Sequence, residues 1–128
     1  MKFARWVFLL AAIYGVLALA PMYFQEAMLA PPLTHPEFYY GFIGVALAWQ
    51  VLFLQLAHDP LRHRPLMIPA MLEKAGFGLA MLALYAQHRL PALLLLAGCV
   101  DLLFVVLFLL VWWRTRHGWP VAPVALAG

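Results

Sequence analysis

The chain contains one cysteine, Cys99, set inside an apolar run. An internal disulfide is therefore impossible, and membrane oxidoreductases that work through cysteine pairs are excluded. Charge is almost as scarce. Only 10% of the 128 residues are Asp, Glu, Lys or Arg, against about a quarter in a soluble domain. Also missing are a G-x-S-x-G elbow, a phosphate-binding loop and an H-E-x-x-H helix, so no hydrolase, nucleotide-binding or zinc-protease signature is present. Span one carries no acid, whereas multidrug transporters of this size place an essential Glu in their first helix.

What remains is hydrophobic: 67% of the residues are apolar. That excess is too large for a water-shielded core of one small domain. The apolar residues fall into four runs, at about 6–24, 38–57, 66–86 and 92–113, each close to the ~20 residues that cross a hydrocarbon core. Unpaired backbone groups are not tolerated in lipid, so the runs must be helices. The expected fold is all-α: an integral membrane bundle of four antiparallel transmembrane helices, in one domain over 1–117, with a flexible tail at 118–128. Lys2 and Arg5 followed by an apolar run and Ala18-Leu19-Ala20 have the outline of a secretory signal. Pro21 after the cut and the continuing run through Phe24 favour a retained helix.

The eight basic residues set the orientation. Lys2, Arg5, Arg62, Arg64, Lys74, Arg114 and Arg116 lie toward one side and only Arg89 toward the other. The positive-inside rule then places both termini in the cytoplasm, and the expected location is the cell inner membrane. A net charge of +3 is explained by this bias, and nucleic acid is not an expected partner.

Loop residues give further expectations. Thr34 and Glu37 have capping-box spacing, so span two should begin near Thr34. It should end at His58-Asp59-Pro60, because proline disfavours helix in the residue before it. His58 and His63, or His35, Glu37 and His88, could meet at a surface, but neither set has the spacing of a metal site. Mid-span histidine is absent, so a bis-histidine haem is not expected, and the expected cofactor content is none.

Span three holds the polar residues that need explanation. Pro69, Glu73, Gly76, Ala80, Ala83 and Gln87 recur at helical spacing on one face, and all are small or polar. Small residues mark close helix approach in membranes, so this stripe is expected to face the bundle interior. Glu73 would lie about 12 Å from the cytoplasmic end. Lys74 points about 100° away and is expected to snorkel to the inner headgroups. Asp101 in span four falls within about 6 Å of the height of Glu73, and Gln50 in span two lies level with it. Gln50, Glu73 and Asp101, with Lys74 or Tyr14 as further members, form a candidate buried polar cluster. Either it holds the helices in register, or it binds a lipophilic ligand or a proton, or it meets a partner subunit.

The stretch FYYGFIGVALAWQ (38–50), followed by RPLMIPAMLEKAGFG (64–78), resembles small bacterial membrane proteins of the DoxX-like, four-helix kind. The resemblance covers about the middle third of the chain and implies a fold rather than an activity. The expected function is that of a small structural or accessory membrane subunit that packs with itself or with a larger membrane protein. The alternative is a binder or carrier of a small lipophilic molecule or proton. Catalysis is not expected, because no nucleophile–base pair is visible.

Overall fold

A computed structural model describes residues 1–118, and the expected tail beyond Gly118 lies outside them. The described residues form four long helices and no strand: α1 (Lys2–Leu19), α2 (Pro36–His58), α3 (Met67–Ala86) and α4 (Ala92–Arg114). With the short 3-10 turns that extend α1 to Phe24 and begin α3 at Arg64, each covers 23 residues and is long and apolar enough to cross a membrane. At 1.5 Å per residue that is about 35 Å.

Proline sets most helix ends. Pro21 has no N–H to continue the ladder, and the chain tightens from α-helix to 3-10 helix at Ala20–Phe24. Pro36 occupies the first turn of α2, and Pro91 is the N-cap of α4. The capping box expected at Thr34 does not form. His35 is the N-cap, with no side-chain capping bond, and Glu37 instead pairs with the His35 ring at 3.1 Å. Pro36 drives this, because its fixed φ already suits the first helical turn. α2 stops at His58, and the Asp59 carboxylate accepts the Arg62 N–H at 3.1 Å to shape the following turn.

The turn from α3 to α4 is a Schellman-type cap. The Arg89 N–H donates to Leu84 O and the His88 N–H to Tyr85 O, both at 2.9 Å. His88 occupies the left-handed position at φ 57°, usually filled by glycine.

The helices are arranged as two tight antiparallel hairpins, α1/α2 and α3/α4, joined side to side along α1–α4 and α2–α3. Glycine makes the α3/α4 hairpin close. A Cβ added at Gly78 would lie 2.9 Å from Gly98 O and 2.6 Å from Leu102 Cγ. In the α1/α2 hairpin, Gly15 makes room for the Gln50 side chain, which a Cβ there would overlap. The hairpins are knit together by three phenylalanines. The Phe8 and Phe108 rings are 4.5 Å apart, and Phe53 meets Phe108 edge-on at 5.5 Å. Leu56, Met67, Ala70 and Val111 complete this fully buried cluster, which lies toward the end of the bundle bearing both termini.

Arg64 ties the α2–α3 connection to the end of α4. Its guanidinium donates to Trp112 O at 3.0 Å and to Thr115 Oγ1 at 3.2 Å, and stacks over the Trp112 ring at 3.6 Å. Thr115 is itself buried and donates to Val111 O at 2.8 Å. Arg64 thus donates to one of the carbonyls that a helix C-terminus leaves open, Trp112 O, where a cation is favoured.

Candidate functional site

The stripe expected to face inward on α3 turns outward from Gly76 to Gln87, and only its Pro69–Glu73 end is partly enclosed. Its buried face is Met67, Ala70, Lys74 and Gly78. Gly76, Ala80, Ala83 and Gln87 are exposed, and Pro69 and Glu73 are half-buried. A Cβ at Gly76 would meet nothing within 4 Å. α3 carries small residues on two faces, and the face with Ala70 and Gly78 is the one that packs.

This turn of the helix overturns the snorkelling expected of Lys74. Lys74 is only 3% exposed and points into the bundle. Its ammonium donates to Asp101 Oδ1 at 3.1 Å, and Asp101 is 6% exposed. The close crossing of Gly78 and Gly98 explains the register. In antiparallel helices, residues four before Gly78 and three after Gly98 run toward the same end, which sets Lys74 opposite Asp101. Glu73 Oε2 lies 3.9 Å from the same ammonium. That oxygen is buried and accepts no hydrogen bond. Lys74 also lies 5.3 Å from the Phe53 ring of α2 and 6.0 Å from Phe104 of α4, whose faces favour a cation.

Glu73, Lys74 and Asp101 are therefore brought together: two carboxyl groups around one ammonium. Tyr14 stands at the margin. Its ring packs on Phe104 at 5.9 Å, and no hydrogen bond links it to the ion pair. Gln50 is elsewhere. It is buried at 2% exposure between α1 and α2, where Nε2 donates to Ala46 O at 2.8 Å and Oε1 has no partner. It is a polar group of the α1/α2 seam rather than of the acid cluster.

An ion pair taken out of water costs several kcal/mol per ion in desolvation, which its Coulomb attraction roughly offsets when geometry is good. Such a pair contributes little net stability but opposes any other register, since sliding α3 along α4 would leave two bare charges. Two surface cavities lie away from it. One of about 150 Å³ lies between Phe3, Ala4, Val111 and Arg114, and one of about 520 Å³ lies in the α1–α2 connection. Among the described residues, no three His, Cys, Asp or Glu side chains converge as metal ligands. Cys99 is free and exposed.

Sequence reasoning missed Arg64 as a helix-end clamp, because nothing in its neighbours announces that α4 ends beside it. It also missed the tyrosines of α2 as braces for the α1–α2 connection. Tyr39 donates to Met22 O at 2.7 Å, and Tyr40 donates to the Glu26 carboxylate.

The class defined so far is an α-helical bundle with four helices of membrane-spanning length and apolarity. No protein-family model, curated protein or solved structure matches the chain.

Proposed function

We propose that the four helices lie in an inner membrane, with both termini and the Arg62 loop in the cytoplasm. In this reading the protein is a structural or accessory subunit that packs with itself or with a larger membrane protein. The observation carrying this is the outward small-residue face of α3. Gly76, Ala80 and Ala83 are exposed, with nothing within 4 Å of a Cβ at Gly76. Such faces let another transmembrane helix approach closely. α2 presents a similar exposed row at Gly41, Gly44 and Ala48. Inside, Lys74 and Asp101 are spent on each other, which supports a register-holding role over chemistry. The basic bias toward one end persists without Lys74, in Lys2, Arg5, Arg62, Arg64, Arg114 and Arg116. The DoxX-like resemblance belongs to the same proposal.

The test is the mass of the complex released from native membranes. Wild type should exceed the 14.4 kDa of one chain, and Gly76→Leu/Ala80→Leu should accumulate normally but lose the larger species. A wild-type mass of one chain alone would refute the reading. Topology is checked separately in a Cys99→Ser background. An impermeant maleimide should label Thr34→Cys from outside and leave Arg62→Cys untouched. A second reading, binding of a lipophilic ligand or proton at the acidic cluster, is favoured by the unpartnered Oε2 of Glu73. It requires Glu73→Gln to abolish binding at normal abundance.

A further inference from the structure

A surface cavity of about 520 Å³ lies in the connection between α1 and α2 and is lined by Tyr23, Phe24, Glu26, Leu29, Pro32 and Leu33. It is an open groove rather than an enclosed chamber, with Tyr23, Phe24, Glu26 and Pro32 exposed along it. Tyr23 lines it, and two tyrosines of α2 brace that lining from behind. The Tyr40 hydroxyl donates to the Glu26 carboxylate, and the Tyr40 ring stacks on Tyr23 at 6.1 Å. Tyr39 meets Tyr40 edge-on at 5.2 Å and donates to Met22 O at 2.7 Å. The carboxylate and the aromatic wall are thus held in place by α2 rather than left to the loop.

The lining selects a ligand. Glu26 supplies one negative charge, Tyr23 and Phe24 supply aromatic rings, and Leu29, Pro32 and Leu33 supply apolar surface. Between Arg5 and Arg62 the chain has no lysine or arginine to neutralise Glu26. His35 is occupied by Glu37 at 3.1 Å, and Arg89 donates to Gln87 at 3.2 Å. Aromatic rings with a carboxylate attract ammonium groups, and the apolar wall suits a hydrocarbon chain beside the charge. We propose that this cavity binds an alkylammonium group, carried either by an aminophospholipid headgroup or by a free lipophilic amine. The site is distinct from the Lys74–Asp101 cluster and does not depend on the subunit role proposed above.

The experiment uses the full chain with its five tyrosines replaced by 3-fluorotyrosine, in nanodiscs of phosphatidylglycerol alone, titrated with hexyltrimethylammonium. The fluorine resonances of Tyr23 and Tyr40 should shift saturably, while those of Tyr14 and Tyr85 stay in place. Glu26→Gln should weaken binding about fivefold, the scale of one exposed charge contact. Hexanol, with the same chain length and no charge, should leave Tyr23 unmoved, a control on wild type that needs no variant. Shifts linear in concentration, equal in Glu26→Gln, or matched by hexanol would overturn the proposal. Phosphatidylethanolamine in the nanodisc should pre-shift Tyr23 if the source is a headgroup. A Tyr23 that responds only to added amine assigns the site to free amines.

Discussion

Replacing Lys74 by methionine should destabilise the bundle more than replacing either acid, and the reason is in the distances. Lys74 Nζ lies 3.1 Å from Asp101 and 3.9 Å from Glu73. With an effective dielectric near 20, these correspond to attractions of ~5 and ~4 kcal/mol before desolvation is subtracted. Removing one partner of a buried pair costs about 3–5 kcal/mol, because the remaining charge loses its compensation. Lys74→Met strips both acids of their cation and belongs at the top of that range. Asp101→Asn leaves Lys74 beside Glu73 and should cost roughly 2 kcal/mol less. The diagnostic is the double variant. Adding Asp101→Asn to Lys74→Met removes an uncompensated acid, so the double variant should be more stable than Lys74→Met alone by about 1–3 kcal/mol. Unfolding midpoints in mixed micelles of increasing dodecyl sulfate, followed by tryptophan fluorescence, measure all four states of the cycle. If Asp101→Asn costs the same with and without Lys74, the two groups are uncoupled and the reasoning fails.

Three further outcomes follow from single positions. Gly78→Ala should destabilise by about 1–3 kcal/mol through overpacking against Gly98 O and Leu102, whereas Gly76→Ala should be neutral or gain up to ~1 kcal/mol of helix propensity; the same micelle unfolding compares them. Arg64→Ala should raise hydrogen exchange at residues 112–116 and cost about 1–3 kcal/mol, with lysine a poor substitute for a guanidinium that both stacks and donates twice; unchanged protection there would refute the clamp. His88→Gly should stabilise by about 1 kcal/mol, because only glycine takes φ 57° without a Cβ penalty; a lower unfolding midpoint would show that the His88 ring matters more than its backbone.

Much of the architecture was legible because its causes are local. Four apolar runs of sufficient length dictate four helices when lipid is the solvent, and Pro21, Pro36, Pro60 and Pro91 mark ends that the backbone must respect. The Thr34 reading failed for a local reason too: Pro36 supplies a helix start that does not need the capping box. The face of α3 was not legible, because small residues recur on two sides of it. Choosing between the Glu73 side and the Lys74 side requires knowing what α4 offers opposite. The answer is Asp101, and only the Gly78–Gly98 crossing sets it at the right height. Gln50 shows the same limit. Its depth in α2 was readable, but its partner, the space above Gly15, depends on how α1 lies against α2.

Sequence by itself therefore determined the number, length and ends of the helices and the crowding of positive charge at one end, since each follows from hydropathy, proline geometry and counting along the chain. The tertiary structure alone decided which face of each helix is inner, that Lys74 rather than Glu73 fills the interior, and that Tyr39 and Tyr40 brace the α1–α2 connection at Met22 and Glu26. Those outcomes depend on distances between residues far apart in the chain, and helical spacing carries no information about what stands across the gap.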